Sequence, residues 1–125
     1  EILRDGKIDI SAAKEAAHKL VAAGVREWVV IHFPNGAIAV SVKGEELLQA
    51  SINMPQSLIA GTTGAGDAFA AGVLLGLHEG ISMATALTYG VCSAAASLTH
   101  PACSDGVELL ADCLSFAEKF GYRRI

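Results

Sequence analysis

Gly61-Thr62-Thr63-Gly64-Ala65-Gly66-Asp67-Ala68-Phe69 is a run of small residues that meets a carboxylate and opens into an apolar stretch. The residues from Asp67 to Glu79 are small and aliphatic and stop at Gly80, which predicts a helix there. Its apolar residues run nearly all the way round, the pattern of a helix buried on most sides. Small residues just ahead of a helix leave the backbone N–H groups of its first turn unobstructed. With the positive end of the helix dipole, those donors make a site for an anion, and Gly64, Ala65 and Gly66 would supply them. Asp67 would repel a bare phosphate, so a simple phosphate cradle does not explain it. A hydroxyl placed between the two does: Asp67 accepts its proton as the oxygen attacks a bound phosphoryl group, and the N–H groups stabilise the developing charge.

Three other readings of this loop can be weighed. A P-loop needs lysine after the last glycine, where this chain has Asp67. The dinucleotide fingerprint needs GxGxxG, whereas these glycines run GxxGxG. An ordinary capped helix, with Asp67 as the N-cap and glycines making the turn, fits local physics equally well.

Upstream, Asp9 to Ala23 reads as an amphipathic helix with Ser11 as N-cap and Gly24 closing it. Trp28-Val29-Val30-Ile31-His32 is an apolar, β-branched run suited to a strand covered on both faces, as in a parallel sheet. Pro34-Asn35-Gly36 signals a turn and Ala37 to Val42 a second strand, so residues 28–42 read as a hairpin. A further turn is expected at Lys43 to Glu46. Residues 47–60 are ambiguous, with a strand conceivable at Leu47 to Ile52 and Pro55 ending whatever precedes it. Downstream, Ser82 caps a helix running to about Thr99, and Asp105 with Glu108 resembles a capping box for a last helix through Phe120. No repeat or linker divides the chain, which reads as one α/β unit.

The 125 residues are 52% hydrophobic and 18% charged, with 22 alanines and 13 glycines, which argues for close-packed helices and against disorder. A net charge of −4 does not fit a nucleic-acid binder. The longest apolar run, Ala68 to Leu77, is too short to span a bilayer. Cys92, Cys103 and Cys113 form neither a disulfide framework nor a zinc motif and point to a reducing, cytoplasmic setting. No two of the four histidines have metal-ligand spacing. His18 reads as a surface residue and His78 as a helix-end cation. His32 and His100 read as loop or helix-end residues close to a ligand side.

Thr62 to Phe69, followed by Ala70-Ala71-Gly72 and Leu74, resembles the second signature of the ribokinase (PfkB) family of carbohydrate and nucleoside kinases. The flanks agree: Ala16 to Val40 resembles the family's helix–strand–turn–strand segment, and Thr99-His100-Pro101 follows an alanine-rich helix as it does there. The resemblance implies a three-layer αβα sandwich, of which this chain would be the C-terminal, nucleotide-binding half, with the acceptor-recognising half and lid upstream. It implies Asp67 as catalytic base and Gly64, Ala65 and Gly66 as the anion hole. Thr62, Thr63 and Gly36 become nucleotide contacts, and the helix from Cys92 to Ala96, Cys92 and Ala95 included, lines the adenine pocket. ATP with Mg²⁺ is the implied phosphoryl donor, and a sugar, sugar phosphate or nucleoside the acceptor. The resemblance assigns no residue of this chain as a metal ligand. Gly61 stands where the family usually has an aspartate that helps bind a monovalent cation, so a K⁺ requirement does not transfer. Phe33 and Ala102 replace common glycines near the nucleotide. The alternative is a nucleotide- or anion-binding module, or an interaction domain, that kept the fold without catalysis. The isolated chain is expected to be inactive, with exposed faces that admit a homo-oligomer.

Overall fold

The computed structural model describes residues 3–4, 7–24, 27–61, 64–99 and 110–123. A short antiparallel pair, β1 (Leu3–Arg4) and β2 (Lys7–Ile8), leads into helix α1 (Ile10–Ala22). The cap of α1 is Asp9, not the expected Ser11: the Asp9 carboxylate accepts from the Ala12 N–H at 3.0 Å. Ser11 lies inside the helix because Ile10 is already helical and packs on the core. After Ala23, Gly24 takes φ +121° and turns the chain away, as expected.

β3 (Trp28–Phe33), β4 (Gly36–Ser41) and β5 (Glu46–Ala50) form one sheet in that order. The hairpin at the Pro34-Asn35 turn is as the sequence predicts, and the ambiguous segment resolves into β5. All pairings are antiparallel, which corrects the parallel-type reading of β3. The sheet is nonetheless covered on both faces, and the period of two sorts its side chains. Val29, Phe33, Ile38 and Val40 face α1 and pack with Ala13 and Ala17. Ala37 and Ala39 face the opposite core, with Trp28, Val30 and Leu47 against it. Among the described residues β3 has a sheet partner on one side, and Trp28, Val30 and Ile31 are half-buried.

α2 (Ala65–His78) and α3 (Met83–Leu98) form the third layer with α4 (Leu110–Phe120). Ser82 caps α3, accepting from the Thr85 N–H at 3.3 Å. α3 is the buried helix, with ten buried residues facing the sheet, α2 and α4. α2 is not buried on most sides. Only Phe69, Gly72, Val73 and Gly76 are buried, one stripe at helical spacing, while Leu74 is 65% exposed. The stripe is set by where α3 lies: a Cβ at Gly72 would come within 2.7 Å of the Tyr89 carbonyl oxygen. The expected start of the last helix at Asp105 lies outside the described residues. After α4, Gly121 takes φ +68° and the chain returns beside residues 51–53. There Asn53 N–H donates to Gly121, Ile52 bridges Tyr122, and Arg123 N–H donates to Ser51. The α1, sheet and α2–α3–α4 layers give the expected three-layer α/β arrangement.

Candidate functional site

The site is built at the start of α2. Gly64 is its N-cap at φ +87°, in the left-handed region that glycine occupies without strain, and among the described residues no side chain caps the helix there. The first intrahelical bond runs from Ala68 N–H to the Gly64 carbonyl at 2.9 Å, which leaves the N–H groups of Ala65, Gly66 and Asp67 without a partner inside the helix. Among the described residues, a methyl on Gly66 would meet nothing within 4 Å. Asp67 is exposed in that same turn and is not the cap, which removes the ordinary capped-helix reading. Behind the loop, Ala60 and Gly61 N–H groups donate to Leu98 at the end of α3, at 2.7 and 3.4 Å.

Ala65 forms part of the wall of a cavity of about 340 Å³. Val91, Ala94, Ala95 and Leu98 of α3 make one side. The hairpin contributes His32, Phe33 and Pro34, and Ile59, Ser51, Ile52 and Arg123 close the rest. Mostly apolar walls beside N–H donors that the helix itself leaves unused suit a ligand with a flat apolar part and an anionic part. That is the chemistry of a nucleotide, and the residues present fit one.

Of the residues singled out from sequence, Ala65 and Ala95 line the cavity, while Gly64, Gly66 and Asp67 surround the helix start beside it. Gly36 pairs with Phe33 across the hairpin turn and is not among the residues that line the cavity. Cys92 does not line the cavity. It is buried toward α4, where burial and the Cys113 thiol push its pKa up to about 11, against a lowering contact from the Ala117 backbone. Thr62, Thr63, His100, Ala102 and Cys103 lie outside the described residues. Phe33, where the resemblance implies a glycine, is buried in the α1-facing core and also lines the cavity.

Two participants were not singled out as site residues. His32 stacks on Phe69 of α2 with ring centroids 4.1 Å apart and planes 3° from parallel. Burial holds its pKa below the ordinary 6.5. This stack ties the hairpin to the helix that carries Asp67. Arg123 reaches the cavity only because the chain's last described residues pair with residues 51–53; in sequence it is one of two arginines near the end. Among the described residues, no three His, Cys, Asp or Glu side chains come together as a metal site. Among them, no helix is long and apolar enough to cross a membrane.

A pfkB family carbohydrate kinase profile matches residues 1–109, and the chain belongs to that family. It is 32% identical over 91 residues to a 5-dehydro-2-deoxygluconokinase of Geobacillus kaustophilus, a match covering 73% of this chain and 26% of that protein. A crystal structure of ribokinase from Thermotoga maritima is 25% identical, with a TM-score of 0.72 over 83% of this chain and 34% of that one. The Arabidopsis thaliana ribokinase complexed with ribose and ATP is 25% identical, with a TM-score of 0.71 over 86% of this chain and 33% of that one. The chain spans about a quarter of the length of the curated relatives it matches.

Proposed function

We propose that this chain is the C-terminal, nucleotide-binding portion of an ATP-dependent kinase that phosphorylates a hydroxyl of a sugar or related small molecule. The observation that carries the reading is the uncapped start of α2, open on one side to the apolar cavity and bearing the exposed Asp67 carboxylate. The adenine lies against the α3 wall at Ala94 and Ala95, with the phosphates toward Ala65. The N–H groups of Ala65, Gly66 and Asp67 donate to the transferring phosphoryl oxygens, aided by the helix dipole. The acceptor oxygen bonds to the γ-phosphorus, the bond to the ADP oxygen breaks, and the hydroxyl proton passes to Asp67. Positioning supplies most of the acceleration in such transfers, so a weakly basic carboxylate suffices. Mg²⁺ would ride on the nucleotide phosphates, since the described residues offer it no cage.

The curated relatives named for 5-dehydro-2-deoxygluconate, and the ribose-bound neighbour, favour a sugar or sugar-acid acceptor. The isolated chain binds nucleotide without transferring. The test is ATP-dependent phosphorylation by the full-length protein of 5-dehydro-2-deoxygluconate, ribose and nucleosides. Asp67→Asn should lower kcat at least ~100-fold, the scale of general-base catalysis, and leave ADP affinity within about twofold. Nucleotide binding with no turnover on any acceptor would replace catalysis with a binding module.

A further inference from the structure

Three segments distant in sequence meet at one rim of the cavity. The Asn35 carbonyl, in the hairpin turn, accepts from the Ser51 N–H at 2.8 Å. The Ser51 carbonyl accepts from the Arg123 N–H at 2.7 Å, and the Arg123 Nη1 donates to Asn35 Oδ1 at 3.3 Å. The backbone and one edge of the guanidinium are thereby fixed, in a residue that lines the cavity. A guanidinium carries five N–H donors, and Asn35 engages one of them. Its partner is a neutral amide, so the charge stays uncompensated by that contact.

The charge stands out against its setting. The whole chain has 13 acidic and 9 basic residues, yet no carboxylate lines the cavity and Arg123 is its one permanent charge among the described residues. His32, the other titratable group on the wall, is disfavoured as a cation by burial. The second positive feature of the same cavity is the α2 N-terminus at Ala65. Among the described residues the wall of this apolar chamber carries two positive features and no carboxylate, Asp67 standing exposed beside it on the α2 turn, and such a wall suits a polyanion with an apolar head.

We propose that Arg123 is a further binding residue of this site, its guanidinium contacting the phosphate groups of the nucleotide while Asn35 holds it in place. The inference rests on the nucleotide reading above. Arginine suits the role because its planar fork meets two phosphate oxygens at once and its charge does not titrate.

The experiment is calorimetric binding of ADP and, separately, adenosine to the full-length protein and to Arg123→Gln and Arg123→Lys. Phosphate contact requires Arg123→Gln to weaken ADP about tenfold or more at low salt, with adenosine unchanged within twofold and Arg123→Lys intermediate. Asn35→Ala, which keeps the charge but removes its brace, should weaken ADP by a smaller factor. Unchanged ADP affinity in Arg123→Gln overturns the inference while sparing the nucleotide site. Equal losses for ADP and adenosine overturn it too, since they assign Arg123 to the shape of the rim. A wild-type protein that binds neither ligand removes both the nucleotide reading and this one. The Arg123 N–H to Ser51 bond is made by backbone and not by the side chains replaced, and a thermal melt checks that the variants fold.

Discussion

Gly72→Ala tests whether the approach of α2 to α3 sets the geometry beneath the site. An added Cβ would lie 2.7 Å from the Tyr89 carbonyl oxygen, 2.8 Å from Ser93 Oγ and 2.9 Å from Gly90 Cα. Ser93 can rotate away, but the other two atoms are backbone, so the helices must separate by several tenths of an ångström. Overpacking of this kind costs about 1–3 kcal/mol. Against it stands the helix preference of alanine over glycine, about 1 kcal/mol. The clash wins because relief requires moving a whole helix whose other buried contacts, Phe69 and Val73, lie on the same stripe. The expected result is a net loss of up to ~2 kcal/mol in urea unfolding followed by circular dichroism, with an unchanged m-value. Gly66→Ala is the control: with nothing within 4 Å of its Cβ, it should not destabilise. A Gly72→Ala protein as stable as the wild type, or more so, would refute the close-approach argument.

Ser82→Ala removes the side-chain cap of α3 and should cost about 1 kcal/mol by the same measurement, less if water replaces the hydroxyl. Cys92 should be alkylated by iodoacetamide at pH 7.5 roughly a hundredfold more slowly than an ordinary cysteine, becoming reactive on unfolding. Because folding raises this thiol's pKa from 9.0 to about 11, its linked stability is complete below pH 9 and is lost as pH rises toward 11. Thermal midpoints at pH 8 and 10.5 should therefore converge in Cys92→Ala relative to the wild type.

Local signals carried the features that depend on few neighbours. Pro34-Asn35 between β-branched runs is enough for the hairpin, and Ser82 ahead of an alanine-rich stretch is enough for the start of α3. Gly61, Gly64 and Gly66 point to the candidate site in the sequence because a missing side chain is what leaves the first N–H groups of a helix unobstructed. Where the competition was between two good caps, position decided: Asp9 won over Ser11 because Ile10 had to be helical to reach the core. β5 was ambiguous because Leu47 and Leu48 are adjacent and face opposite sides of the sheet, which blurs the alternation. The buried stripe of α2 could not be read from composition, since small and aliphatic residues surround that helix and only the position of α3 selects among them. Arg123 was invisible as a site residue because pairing across some seventy residues leaves no periodic or propensity signal.

The two apolar clusters lie on opposite faces of one sheet, and this divides the molecule into parts of unequal tenacity. α1 meets the sheet through two alanine methyls, Ala13 and Ala17, with Ile10 and Val21 at its margins. The opposite cluster draws, among the described residues, on fifteen buried residues: thirteen from the sheet and three helices, with Ile52 and Met54 from the segment after β5. Local opening follows the apolar contact that must be given up. α1 can therefore peel from the sheet in a partial unfolding that leaves α2, its first turn and α3 intact, so its amide protons exchange with solvent long before those of α3.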